Sequence, residues 1–359
     1  MDMRAGLDTT LNEKLTFEIA MLRRFRFGKR SEQLPPGVQG SLLEEAVDED
    51  MVEIEAQLAA LAPKADPVTP LKDQPKRAAL PPELPRIEIL AHRVLHADET
   101  PVKLLKPGSR AIHKAYLWAY TPGAFEGLNA VVYDFTEGRA GAHAREFFGN
   151  WTGSLVCDDY VGYKACFTQG ITEVGCMAHA RRKFFDLHAA SQCPVAAQAL
   201  ESIGGLYTIE RELKGLSPDD RLRQRQQVAK PLADKYHEWM LAQRQKVPDG
   251  SGTARALDYS LKRWVALTRY LDDGMLPIDN NRIEQQIRPI AVGRNNWLFA
   301  GSLRAGKRAA AVMSLVQSAK LNGHDPYAYL KDVLTRLPTH PNSRIEELLP
   351  HRWQLTSGC

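Results

Sequence analysis

Apolar residues recur first at helical spacing. Leu11, Leu15, Ile19 and Leu22 predict a helix over residues 10–30, turning basic at Arg23, Arg24, Arg26, Lys29 and Arg30. Between residues 42 and 61, Val47, Met51, Ile54, Leu58 and Leu61 advance by four, three, four and three positions, with acidic residues between them. Two heptads fall short of the three or four that define a coiled coil, so an intramolecular amphipathic helix and a dimerising zipper both fit. The periodicity then stops. Residues 62–85 hold seven of the chain's 22 prolines, which predicts an extended linker at a domain boundary.

Beyond the linker the period changes to that of strands. Residues 93–105, 114–120 and 129–135 are three strand candidates separated by PGSR and TPGAFEG turns, which predicts an antiparallel meander. A helix over 139–149 follows, then strands over 154–160 and 171–179. Residues 180–275 read as almost wholly helical, an insertion inside an α/β domain. Three further helices are expected: one opened by DNN at 279–281, one near 305–321 closed by Asn322 and Gly323, and one opened by Asp325 and Pro326. The fold class expected is therefore α/β, a mixed sheet with a large helical insertion behind an N-terminal helical region. The expected partition is 1–61, a linker over 62–92, a catalytic domain over 93–338 and a tail over 339–359.

Composition narrows this little. At 359 residues, 44% hydrophobic and 25% charged, the chain can bury two or three cores. Lys and Arg number 47 against 43 Asp and Glu, a net +4, so any nucleic-acid surface must come from local clustering. Five scattered cysteines suit a reduced compartment, and the absence of a signal-like start or a long apolar run leads to a cytoplasmic, non-membrane expectation.

Two carboxylates stand where strands end: Asp98 in LHADET and Asp158 in LVCDDY. Brought into one cleft they repel unless a cation lies between them, and an all-oxygen site suits Mg²⁺, with Mn²⁺ as substitute. Glu284, in DNNRIEQQIRP, completes a possible set. Asn280 or Asn281 is a candidate N-cap, Ile283 and Ile287 fall on the buried side, and Glu284 shares a stripe with Arg288, so a surface Glu–Arg pair is the competing reading.

Cys176 and His179 form a C-x-x-H pair; a structural zinc would need four ligands, so a structural pair beside the site is the favoured reading. Arg181, Arg182 and Lys183 follow directly. Residues 281–320 carry Arg282, Arg288, Arg294, Arg304, Lys307, Arg308 and Lys320 against the single acid Glu284, with Asn296, Trp297 and Phe299 among them. A basic tract with interleaved aromatics suits a DNA backbone and a stacked base; buried aromatics beneath a solvated basic face is the alternative.

The segments LHADETPVK, GSLVCDDYVGY, GCMAHARRKFFDLH, LPIDNNRIEQQIRPIAVGRNNWLFAGS and SLVQSAKLNGHDPYAYL, with LRRFRFGKRSEQL near the start, resemble the insertion sequence 66 family of transposases in the family's order. That resemblance implies a ribonuclease H-like catalytic domain with a DDE triad, Asp98, Asp158 and Glu284. Asp159 is the alternative second aspartate, at a position where relatives commonly have a small residue. It also implies Mg²⁺-dependent nicking and joining of DNA, contacts to element ends and target, a homo-oligomer, and possible accessory proteins. The chain departs from the family in one respect. Relatives carry a cysteine-rich zinc module between the N-terminal helices and the core, whereas here LPPELPRIEIL runs into AHRVLHADET and no C-x-x-C pair occurs. A silent DNA-binding remnant and a structure-specific nuclease are the alternatives to an active transposase.

Overall fold

A computed structural model describes residues 88–105, 112–297 and 299–354. Of the two units into which the chain divides, Met1–Ala78 and Ala79–Cys359, only the second contains described residues. The expected N-terminal helices, their basic end and residues 62–87 of the expected linker lie outside them; of its last five residues, Ile89 is buried in the core.

Five strands form one sheet: β1 (Val94–Leu105), β2 (Ile112–Pro122), β3 (Val132–Thr136), β4 (Ser154–Cys157) and β5 (Thr172–Gly175). Their order is β3-β2-β1-β4-β5. β1, β2 and β3 pair antiparallel, as the short turns between them dictate, while β4 and β5 add in parallel on the other side of β1. Helix α1 (Gly141–Phe148) links β3 to β4. After β5 comes the helical insertion: α2 (Met177–Ser191), α3 (Pro194–Glu212), a short helix Pro218–Gln224 with a π-turn Arg225–Ala229, α4 (Lys230–Arg244) and α5 (Gly252–Lys262). Three helices close the unit: α6 (Asn281–Trp297), α7 (Leu303–Leu321) and α8 (Pro326–Arg336). The α/β class, the meander and the helical insertion all agree with the sequence reading, and they fit the ribonuclease H-like sheet that the resemblance implies.

Period-two alternation sorts the sheet residues onto two faces. Leu95, Ala97, Trp118, Tyr120, Leu155 and Cys157 face α1, where Tyr120 stacks on Phe147 at 3.6 Å between centroids. On the opposite face Val94, Val156 and Val174 meet the insertion, and Val102, Leu104, Leu117 and Ala119 meet Ile283, Ile287 and Ile290 of α6. Each of those isoleucines contributes about 1.5–3 kcal/mol by burial and fixes the rotation of α6. Beyond α8, Leu348 and Trp353 are buried against Tyr329, so the C-terminal residues through 354 pack onto the core.

The outer edge of β3 is closed by α7. Gly306, Ala310, Ser314 and Ser318 recur every four residues and form a narrow stripe along the strand. The Val131 and Tyr133 amides donate to the hydroxyls of Ser318 and Ser314, at 3.0 and 2.8 Å, which satisfies an edge that would otherwise invite another strand. A Cβ at Gly306 would lie 2.3 Å from the Phe135 ring. Gly306→Ala is therefore expected to lower stability by about 1–3 kcal/mol through overpacking, although helix propensity favours alanine by about 1 kcal/mol. A urea midpoint that rises in this variant would refute the close packing.

Candidate active site

The site begins with a register. β1 and β4 pair over Val94–His96 and Ser154–Val156 only, and the last pair is His96 with Val156. Two residues beyond each lie Asp98 and Asp158, so the continuing register sets them side by side, on the face that carries Val94 and Val156. Asp98 is not at a strand end as expected. It lies mid-strand opposite Ala119 of β2, and what ends there is its other neighbour, β4, whose last residue is Cys157. β4 is also shorter than expected, so Asp158 is just past its end rather than within it.

Each aspartate is anchored by a backbone amide. Asp98 Oδ1 accepts from the Glu99 N–H at 2.9 Å, and Asp158 Oδ1 from the Tyr160 N–H at 2.9 Å. Burial, together with the charges of Glu99, Asp158 and Glu284, outweighs that amide and pushes the Asp98 carboxyl up to about 8. Glu99, one residue on, points to the opposite face, where Arg139 and the Tyr163 hydroxyl hold it. Asp159 is engaged elsewhere. It is ion-paired to Arg263 and Lys164, the latter at 2.9 Å; burial alone would raise its carboxyl, but these cations hold it below the usual range. Between the two adjacent aspartates, geometry therefore favours Asp158 as the partner of Asp98.

Glu284 lies in the first turn of α6, and its negative charge acts on Asp98. Arg288 is exposed, and the side chain beside Glu284 is His179, at 3.8 Å from Nδ1 to Oε1. The expected strand over 171–179 stops at Gly175; Cys176 is the N-cap of α2 and His179 falls in that helix's first turn. The Cys176 thiol accepts from the Asn280 N–H at 3.2 Å.

Asn280 is the residue that sequence reasoning undervalued. Its side chain caps no helix; it is fully buried, with Nδ2 donating to the Ala97 carbonyl at 2.9 Å. The oxygen that remains makes His96 Nδ1 the donor in their 2.8 Å contact, and burial keeps His96 neutral by lowering its pKa to about 4. Asn280 thus ties α6, β1 beside Asp98, and the β5–α2 turn at one point. Asp279 takes over part of the capping and accepts the Asn281 amide at 3.1 Å, while Tyr207 donates to its other oxygen at 2.9 Å. Glu210, on the same helix as Tyr207, receives Arg225 and Arg221.

The basic residues divide into two groups. Arg181, Arg182, Lys183, Arg288 and Arg308 are exposed, as are Asn296, Trp297 and Phe299, the aromatics at 39% and 42%. Lys307 is exposed along the groove between β3 and α7, where its charge acts on Asp134. Arg282 and Arg294 are engaged internally. Arg282 donates to the Pro122 carbonyl at 2.8 Å, and Arg294 donates to Thr100 Oγ1 and the Pro101 carbonyl, clamping α6 onto β1. A cleft of about 310 Å³ opens beside Glu284, lined by His179, Arg181, Arg182, Phe185 and Asn281. No helix among the described residues is long and apolar enough to cross a membrane.

The family model described as "Transposase IS66 family" matches residues 82–308, "IS66 C-terminal element" matches 314–351, and "Transposase C of IS166 homeodomain" matches 14–89. The chain is similar to three uncharacterized proteins of Sinorhizobium fredii. It is 35% identical to y4hP over 303 residues, covering 79% of this chain and 55% of that one. It is 37% identical to y4qI over 267 residues, covering 71% and 50%, and 33% identical to y4jD over 271 residues, covering 72% and 53%. The chain spans about half the length of these curated relatives.

Proposed function

The chain belongs to the IS66 family of transposases, and we propose that it cuts and joins DNA strands with Asp98, Asp158 and Glu284 as a metal-binding DDE triad. One observation carries this reading: β4 stops where β1 continues, so two aspartates stand in register past the end of their pairing, with the Glu284 charge acting on the same place. The donor set fits a hard divalent cation. It is made of carboxylates, one of them pushed up by burial and by its acidic neighbours, and no lysine or arginine pairs with the Asp98 or Asp158 carboxylate among the described residues.

Asp98, Asp158 and Glu284 would hold Mg²⁺, or Mn²⁺ in its place. When bound, such ions activate a water or a DNA 3′-OH and stabilise the leaving oxygen during in-line attack on phosphorus. The chain's own residues prepare the site. The Glu99 and Tyr160 amides fix one oxygen of each aspartate, Asn280 and Arg294 lock the glutamate's helix to β1, and Arg139 neutralises Glu99 on the far face. Arg181, Arg182, Lys183 and Arg288 supply phosphate contacts, and Trp297 and Phe299 supply stacking surface. Joining two element ends needs two such sites, hence a homo-oligomer.

The test is labelled DNA with Mg²⁺ or Mn²⁺ in the presence of the protein and four variants. Asp98→Asn, Asp158→Asn and Glu284→Gln are expected to abolish joined products, while Asp159→Asn retains most activity and loses thermal stability through its ion pairs. Cleavage without joining would indicate a nuclease, and binding without either a silent remnant. Activity lost in Asp159→Asn but kept in Asp158→Asn would overturn the assignment.

A further inference from the structure

Beside the carboxylates stands a donor set of different chemistry. Cys176, His179 and Glu284 each offer one ligand atom, and these three atoms lie within 4.8 Å of one another. Two of them are stranded: His179 Nδ1 and Glu284 Oε1 are shut off from solvent and have no hydrogen-bond partner among the described residues. Leaving buried polar atoms unpaired costs about 1–3 kcal/mol each, and a shared cation removes that penalty at both. The third donor is aimed at the same point. Cys176 is 1% exposed, and its sulfur accepts the Asn280 N–H at 3.2 Å; burial pushes the thiol up to about 12, so the metal itself must displace the proton. The supports are rigid: Asn280 is locked to β1, and His179 is in the first turn of a fifteen-residue helix.

The geometry points to a three-ligand site for a thiophilic divalent cation of the Zn²⁺ class, formed by Cys176 Sγ, His179 Nδ1 and Glu284 Oε1. Sulfur and imidazole donors select against Mg²⁺, so this site differs in chemistry from the carboxylate set although both use Glu284. Around a tetrahedral ion with bonds of about 2.0–2.3 Å, donor atoms stand roughly 3.3–3.8 Å apart. The His179–Glu284 pair stands at 3.8 Å and all three atoms lie within 4.8 Å, so binding draws the donors together by small side-chain shifts. Three protein ligands leave a fourth position open, as in catalytic rather than structural zinc sites. On binding, the S–H bond breaks, its proton passes to the solvent, and the sulfur's electron pair forms the bond to the metal, with no redox change. The sequence alone offered two of these ligands; the third came from a residue 105 positions further on, brought in by α6.

Binding is tested on the full chain, reduced and freed of metal, by titration with Co²⁺ alone. One equivalent is expected to produce a thiolate-to-cobalt charge-transfer band and tetrahedral visible bands, both abolished by added Zn²⁺. Cys176→Ala should lose the charge-transfer band, Cys193→Ala should keep it, and His179→Gln should weaken Co²⁺ binding by more than about tenfold. X-ray absorption of the unsubstituted Zn²⁺-loaded protein, which needs no variant to fold, should show one sulfur neighbour with nitrogen or oxygen neighbours. No band, a band that survives Cys176→Ala, or a zinc shell without sulfur would overturn the site. Asp98→Asn separates this inference from the transposase reading, because it should abolish joining while leaving the cobalt spectrum unchanged. A spectrum lost in Asp98→Asn would place the ion among the carboxylates and refute the thiolate site.

Discussion

Asp98→Asn is expected to reduce strand joining by more than about a thousandfold while making the metal-free protein harder to unfold at alkaline pH. The two effects share one cause. Burial and three neighbouring carboxylates push the Asp98 carboxyl up to about 8, against about 3.9 in an unfolded chain. Between those values the folded protein keeps a proton that the unfolded chain releases. Stability contributed by this group is therefore complete below about pH 4 and is lost as pH rises towards 8, at about 1.4 kcal/mol per pH unit. Asparagine mimics the protonated carboxyl and keeps the bond from the Glu99 amide, so the variant escapes that loss. Its advantage over the unsubstituted protein should be small at pH 5 and grow through pH 8 in urea unfolding with chelator present. Divalent cation should close the gap, because it stabilises the ionised carboxylates of the unsubstituted protein and finds fewer of them in the variant. An advantage independent of pH would mean that Asp98 is ionised in the metal-free protein, and the crowding argued for the site would fail.

What could be read from the sequence follows from how local the determining physics is. The antiparallel meander was legible because its strands alternate and short turns join them, and α6–α8 were legible because Asp-Asn-Asn, Asn-Gly and Asp-Pro mark their ends. Parallel β4 and β5 were overextended. β4 is buried along its whole length and β5 over Val174 and Gly175, so LVC and VG carry no alternation to show where pairing stops. Asp98 and Asp158 were found as strand-associated acids, but their alignment depends on β4 stopping early, which nothing in β1 announces. An Asn before a helix usually caps it, which makes Asn280 and Asn281 equal candidates in the sequence; the partners of the Asn280 side chain, Ala97 and His96, are 183 and 184 residues away. Arg282 and Arg294 looked like DNA contacts for the same reason: composition records a charge, not the carbonyl it meets.

Arg225 was hidden in the same way, and its removal should have the largest structural effect in the insertion. It occupies the π-turn before α4, is fully buried, and grips Glu210 through Nε and Nη2 at 2.7 and 2.6 Å. Its Nη1 donates to the carbonyls of Tyr270, Asp273 and Leu276 at 2.8, 2.9 and 3.0 Å. Those carbonyls belong to the segment that leads into Asp279, Asn280 and Glu284, so one guanidinium holds the approach to the third carboxylate. Arg225→Ala leaves Glu210 with Arg221 as its remaining cation at 3.3 Å and takes the guanidinium donor from the Tyr270 and Leu276 carbonyls, and should cost about 3–5 kcal/mol. Glu210→Ala should cost a similar amount, and the double variant clearly less than the sum, because the two share one interaction. Arg225→Lys should not restore the loss, since a compact ammonium cannot bond both carboxylate oxygens and the carbonyls together. Thermal unfolding gives the energies, and protease cleavage within residues 270–276 should appear in Arg225→Ala before global unfolding. A loss below about 1 kcal/mol would show that the segment is held by its apolar contacts, with Tyr270, Leu271 and Leu276 in the core of the insertion, and that the guanidinium merely fills space among them.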